Sequence, residues 1–209
     1  MLIPVGRWSR WCDNFATRHG AVEWATDDGA LVGTAADGSE VTARLPFSEH
    51  YLGAPRLEDF AAAAQPPPEW GLMLVRKGGF AIGLLHGDRL QASKVGRRHV
   101  QGRTKAGGQS QQRFARRREN QARTAYAAAT DHAVQIWAQP GGGPMKLRVV
   151  TGGDRQAVAE VLADPRLREV EAVGEWLAVP DPRRNVLEDA VVRAQSLVLC
   201  IDESPATQP

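Results

Sequence analysis

The first sixty residues change from a helical to a strand-like spacing of apolar positions. In residues 7–19 these positions recur at three- and four-residue intervals, as in an amphipathic helix that ends at Gly20. They are Trp8, Trp11, Cys12 and Phe15. Short apolar runs separated by Asp-Gly turns then predict a meander of three strands, at 22–25, 31–34 and 41–45. Residues 1–60 are therefore predicted to form a small α+β region.

An alanine- and proline-rich segment follows this region. Residues 61–69, which contain the run AAAAQPPP, are predicted to be a linker stiffened as polyproline II. After it, apolar runs joined by short glycine-containing turns predict three antiparallel strands, at 71–76, 80–85 and 89–93. Residues 94–111 are basic and glycine-rich, show no hydrophobic period, and are predicted to be a loop.

A long amphipathic helix is predicted after the loop, from about Gln111 to Ala138. Its inward stripe is predicted to be Phe114, Ala122, Ala125, Tyr126, Ala129, Ala133, Ile136 and Trp137. Further elements are predicted as a strand at 146–150, a helix at 154–162, a strand at 175–179, a helix at 186–196 and a last strand at 197–201. This order predicts an α/β (α+β) domain over 70–202, a ribonuclease-H-like mixed sheet flanked by helices, with a disordered tail at 203–209.

Composition is that of an ordinary globular protein, with 43% hydrophobic residues. Cys12 and Cys200 are far apart in sequence and form no metal-binding or disulfide pattern, so a reducing cytoplasm is expected. No apolar run is long enough for a signal peptide or a membrane span. No cofactor and no metal site are predicted, and His86 and His132 are expected to be structural. The tryptophans and Cys12 are expected in the core of the small region.

The distribution of charge is more informative than the net charge of +2. The segment from Lys94 to Arg123 holds ten lysines and arginines and a single acid, Glu119, which leaves 16 basic and 23 acidic residues for the rest of the chain. A basic stripe on an acidic body is typical of a protein that binds a polyanion, although a run of like charge is also typical of a solvated face.

The centre of the basic segment is Gly107-Gly108-Gln109. Adjacent glycines allow backbone angles that other residues avoid and a close approach of the main chain to a ligand. A phosphate-binding loop would need a terminal Lys-Ser/Thr, which is absent from 102–110. The spacing of a dinucleotide-binding loop is absent as well, and a plain flexible loop is the remaining structural interpretation.

The motif and its flanks resemble the central domain of eukaryotic and archaeal class I peptide-chain release factors. Gly96-Arg97-Arg98-His99 stands upstream, Gly107-Gly108-Gln109-Ser110 at the centre and Arg113-Phe114 downstream. The resemblance covers about Trp70 to Ile201 and is nearest to the Vms-like release factors of ribosome quality control, in their actinobacterial form. The roughly 65 residues before the linker leave no room for a stop-codon-reading domain.

The resemblance implies a peptidyl-tRNA hydrolase of ribosome rescue, with the large ribosomal subunit and peptidyl-tRNA as partners and no membrane or small-molecule cofactor. Gly107, Gly108 and Gln109 would be catalytic: the Gln109 amide would stabilise the leaving oxygen or oxyanion, and its side chain would place water. The residues expected to contact RNA are Arg97, Arg98, His99, Arg103, Lys105, Arg113, Arg116 and Arg117.

Two alternatives stay open. A metal-dependent ribonuclease needs clustered carboxylates on the sheet, and the strands 71–76 and 80–85 contain none. Cleavage of tRNA near its 3′ end by the same loop would nevertheless release the chain, as is thought for some Vms-like relatives. The other alternative is a non-catalytic module that binds the ribosome or RNA.

Overall fold

The computed structural model describes residues 1–97, 109–138 and 146–204, with side chains described everywhere in these ranges except at 97 and 109–121. The chain forms two compact units. The first contains Met1–Pro66 together with Val192–Pro209, and the second contains Pro67–Val191.

The first unit is an antiparallel five-stranded sheet in the order β1-β10-β4-β3-β2. Its strands are β1 (Leu2–Ile3), β2 (Val22–Asp27), β3 (Ala30–Ala35), β4 (Glu40–Arg44) and β10 (Leu197–Asp202). The helices of this unit are α1 (Trp8–His19) and α2 (Leu57–Ala63). The predicted helix and the three-stranded meander are confirmed.

Aromatic rings make up much of the core of this unit. Trp8 is 1% exposed, stacks on Trp11 with ring centroids 5.6 Å apart, and tilts against Phe60 at 5.5 Å. Cys12 is buried beside them, and burial together with the charge of Asp13 raises the pKa of its thiol to about 12. The prediction that the tryptophans and Cys12 belong to the core is confirmed.

Three features of the first unit differ from the sequence-based expectation. The alanines of the predicted linker continue α2 as far as Ala63, because Phe60 anchors that helix in the core at 0% exposure. The strand predicted at 197–201, assigned to the domain 70–202, pairs instead with β4 and β1 of the first sheet. The predicted tail at 203–209 begins with a fixed contact, since the Ser204 amide donates to Ser39 Oγ at 3.0 Å. Residues 205–209 lie outside the described residues.

The second unit contains a mixed sheet in the order β7-β6-β5-β8-β9. Its strands are β5 (Glu69–Arg76), β6 (Gly79–His86), β7 (Arg89–Arg97), β8 (Leu147–Gly153) and β9 (Val170–Ala172). β5, β6 and β7 form an antiparallel meander, and β8 and β9 follow in parallel on the other side of β5. The predicted mixed sheet is confirmed, and this order agrees with the ribonuclease-H-like topology.

Helices flank both faces of this sheet. α3 (Gln109–Trp137) and α4 (Arg155–Leu162) share a core with Met73, Val75 and Ile82. On the opposite face, Leu187 of α5 (Arg184–Ala194) is 3.8 Å from the point where a Cβ on Gly83 would stand.

The inward stripe of α3 is confirmed where its side chains are described. The buried members are Ala122, Ala125, Tyr126, Ala129, Ala133 and Trp137, with Ile136 partly buried. Phe114 lies outside the described side chains. The strand predicted at 175–179 is wrong, because the pairing with β8 is made by β9 and only Leu177 adds a single bridge to Gly152.

Candidate functional site

The glycine-glutamine motif lies between an edge strand and the start of the longest helix. β7 ends at Arg97, opposite Gly79 of β6, and α3 begins at Gln109. The predicted loop at 94–111 is therefore too long at both ends. Its first residues extend β7 because they pair with β6, and its last residues already belong to α3. A sequence window without apolar periodicity conceals both extensions.

The strand that leads into the motif is held by a close contact between Gly96 and Phe80. A Cβ at Gly96 would stand 2.3 Å from Cε1 and 2.4 Å from Cζ of the Phe80 ring. Phe80 is 5% exposed, and its ring centroid is 5.6 Å from that of His132 in α3. The same ring thus touches the end of β7 and packs against α3. This contact makes His132 a structural residue, as predicted.

α3 runs along the sheet in the direction of β6. His132 lies beside Phe80, and further along the helix the Trp137 indole donates to the Gly83 carbonyl at 2.9 Å. Tyr126 lies near the start of α4, and burial followed by the charges of Asp154 and Glu160 raises its pKa. From Tyr126 the helix continues back to Gln109, which at 1.5 Å per residue is roughly 25 Å.

The helical backbone brings several predicted site positions onto one face. Gln109, Arg113 and Arg116 follow the i, i+4, i+7 spacing of a single stripe, with Arg117 beside it. The buried stripe that includes Ala122 and Ala129 lies on the other side of the helix by the same spacing. The basic positions of the first turns and the glutamine therefore share the face that does not enter the core.

Not all predicted site residues are described. Arg98, His99, Arg103, Lys105, Gly107 and Gly108 lie outside the described residues. Arg97, Gln109, Arg113, Arg116 and Arg117 are placed by their backbone alone. Within 1–97, 109–138 and 146–204, no three His, Cys, Asp or Glu side chains come together as a metal ion would require. No helix in the same ranges has the length and apolar character to cross a bilayer.

The Phe80–Gly96 contact escaped the sequence analysis. A glycine near the end of a strand is the signal that could have found it, because such a glycine often marks a close approach of another group to the backbone. The α4 cap was also unassigned: Asp154 accepts from the amides of Gln156 and Ala157 at 3.0 and 3.2 Å, and the Asp154 amide donates to Val75 O at 2.8 Å. This cap fixes α4 at the end of the sheet that leads to the motif.

Comparisons with known proteins cover most of the chain. The family model described as the actinobacteria/chloroflexi VLRF1 release factor matches residues 68–199. Among solved structures, that of an archaeal translation termination factor, aRF1, is 16% identical with a TM-score of 0.41. The alignment covers 78% of this chain and 48% of that chain, so this chain spans about half the length of the archaeal factor. No curated protein matches.

Proposed function

Because the chain belongs to the actinobacteria/chloroflexi VLRF1 release factor family, which acts in translation at the ribosome, we propose that it is a codon-independent peptidyl-tRNA hydrolase. It would release nascent chains from stalled ribosomes or large subunits in the cytoplasm. The reaction is attack of water on the ester that joins the peptide to the tRNA, and the products are the free peptide and a tRNA with an intact 3′ end.

The observation that carries the proposal is the position of Gln109 as the first residue of α3. Amides in the first turn of a helix have no carbonyl partner within the helix, and the helix dipole favours negative charge beside them. A Gln109 N–H brought to the ester would therefore stabilise the developing oxyanion or the leaving 3′ oxygen. One preorganised donor of this kind contributes roughly 10²–10³ in rate.

The other two motif residues and the glutamine side chain have separate roles in this proposal. Gly107 and Gly108 carry no side chains, so the backbone enters a narrow space beside the ester. The carboxamide of Gln109 admits and orients the attacking water. It does not act as a general base, because an amide does not titrate in the physiological range.

Basic residues supply the affinity for RNA. The second unit carries 20 lysines and arginines and 13 acids, and the basic residues are concentrated around the motif. The proposed phosphate contacts are Arg97, Arg98, His99, Arg103, Lys105, Arg113, Arg116 and Arg117. Contacts of this type position a protein on RNA without reading its sequence, and the affinity they provide falls as salt rises.

The test uses purified large subunits carrying peptidyl-tRNA, with wild-type protein, Gln109→Ala and the matched control Gln111→Ala. We expect wild type and Gln111→Ala to release the peptide and Gln109→Ala to lose roughly 10²-fold or more in rate while still sedimenting with the subunits. Equal release by Gln109→Ala would overturn the role of the motif. Binding without release by wild type would instead identify a non-catalytic module.

The 3′ end of the freed tRNA separates the two catalytic routes. Ester hydrolysis leaves a complete CCA end that can be aminoacylated again. Recovery of tRNA shortened at its 3′ end would establish the endonuclease alternative, in which the same loop acts on a phosphodiester.

A further inference from the structure

Leu52 is the most exposed large apolar side chain in the part of the chain that the structure describes. It is 86% exposed, compared with 61% for Met1 at the chain start and 54% for Val192. It lies in the first unit, between the turn of helix at Pro46–Ser48 and α2. Single exposed apolar residues are common, so the surroundings of Leu52 decide whether its exposure has meaning.

The residues on both sides of Leu52 are fixed. Tyr51 is 3% exposed, its amide donates to Gly29 O at 2.8 Å, and its hydroxyl donates to Ala54 O at 2.5 Å. Thr26 Oγ1 donates to the carbonyl of Gly53 at 3.0 Å. Leu52 is therefore held outward by a built frame, and little conformational entropy remains to be lost when a partner covers it.

The segment before Leu52 adds to this frame. Phe47 and Ser48 adopt φ angles of 59° and 58°, a left-handed region that side chains rarely occupy, and Phe47 is fully buried. His50 packs so closely on the β2–β3 turn that a Cβ on Gly29 would stand 2.2 Å from its Nδ1. Such a conformation persists only where the surrounding contacts determine it, which indicates a defined shape for this loop.

The charges around the loop exclude RNA as the partner. Asp27 and Asp28 flank the residues that contact the loop, Glu49 precedes it, and Arg44 is paired with Asp28 at 3.4 Å. The whole first unit carries six basic and eleven acidic residues. A surface of this sign repels phosphates and attracts a basic protein surface.

We propose that Leu52 is the anchor of a protein-docking site, and that it inserts into an apolar pocket surrounded by lysines and arginines on a protein of the large ribosomal subunit. The identity of the particle rests on the proposed function, whereas the acidic apolar surface is a feature of the first unit itself. The basic second unit would then contact RNA, and the first unit would contact protein.

The experiment measures binding of the full chain to purified large subunits carrying peptidyl-tRNA by co-sedimentation. Leu52→Asp is compared with wild type and with Val192→Asp, which places the same charge on another exposed apolar residue of the same unit. Loss of one buried leucine predicts about tenfold to hundredfold weaker binding for Leu52→Asp and unchanged binding for Val192→Asp. Peptide release at saturating protein is expected to be unchanged in both variants.

Replacement of Leu52 by the photoreactive p-benzoylphenylalanine then identifies the class of partner. A cross-linked product that resists ribonuclease and contains a subunit protein supports the proposal. Wild-type affinity of Leu52→Asp, equal loss in Val192→Asp, or cross-links to ribosomal RNA alone would overturn it. Failure of the hydrolase proposal is read separately, as normal binding by wild type without release of peptide, and absence of wild-type binding would overturn both proposals.

Discussion

The Phe80 ring and Gly96 meet across the β6–β7 ladder with no space for a side chain between them, since a Cβ on Gly96 would stand 2.3 Å from the ring. Gly96 is one residue from the end of β7, and the ring also packs beside His132 of α3. The two chain segments that lead into and out of the motif are therefore held by one aromatic side chain.

Gly96→Ala is expected to displace Phe80 and to loosen this support. Overpacking of a buried site costs about 1–3 kcal/mol, so the free energy of unfolding should fall by that amount in a denaturant titration. Peptide release should fall as well, although Gln109 is unchanged. Gly6→Ala is the control, because nothing lies within 4 Å of a Cβ at Gly6. A Gly96→Ala variant as stable and as active as Gly6→Ala would contradict the supporting role of the contact.

The two cysteines are expected to differ in reactivity. Burial and the charge of Asp13 raise the pKa of Cys12 to about 12, so at about pH 8 only roughly one thiol in ten thousand is ionised. Cys200 is exposed. Mass spectrometry after treatment with iodoacetamide should show one added group on the folded protein and two in denaturant. Native Cys200→Ser should take up none, and labelling of that variant at the wild-type rate would show that Cys12 is accessible.

Asp154→Ala is expected to destabilise the second unit. Asp154 caps α4 by accepting from the amides of Gln156 and Ala157, and loss of such a cap costs about 1 kcal/mol. The measurement is the midpoint and slope of urea unfolding. Gln156→Ala is the matched control in the first turn, where the side chain is not the capping group. Equal midpoints for the two variants would show that the cap contributes nothing.

The Asp131–Arg166–Asp164 network should make stability depend on pH at acid values. Hydrogen bonds from the Arg166 side chain and then from its amide lower the pKa of Asp164 to about 2. A carboxyl whose pKa is lower in the folded state stabilises the fold above its unfolded pKa of about 4, and this contribution disappears as the pH falls towards 2. Thermal unfolding of wild type and Asp164→Asn should therefore differ near neutral pH and converge in that window. Asp88→Asn, in the β6–β7 turn outside this network, is the control, and a constant offset between wild type and Asp164→Asn would exclude the linkage.

The arginines of the first turns of α3 should determine the salt dependence of ribosome binding. Arg113→Ala is expected to weaken binding and to reduce the slope of log K against log salt by about one, as loss of one phosphate contact does. Arg7→Ala, in the acidic first unit, is the control. Unchanged slopes for Arg113→Ala would place that residue away from RNA.

The amino-acid sequence by itself determined the elements whose signals are local. The spacing of Trp8, Cys12 and Phe15 gives α1, the alternation around Asp-Gly turns gives the first meander, and the alanine-rich stripe gives α3. The mixed sheet of the second unit also follows from the order of its elements. The motif Gly107-Gly108-Gln109 is read directly from the chain, and the family match spans it.

The tertiary structure alone decided the features that depend on a distant partner. β10 joins the first sheet because β4 and β1 offer it free edges, and β7 extends to Arg97 because β6 continues the ladder. The contact of Gly96 with Phe80 and the outward position of Leu52 have the same origin. Pairing, close packing and exposure are set by residues brought together from far along the chain, so no local pattern of hydrophobic and polar positions contains them.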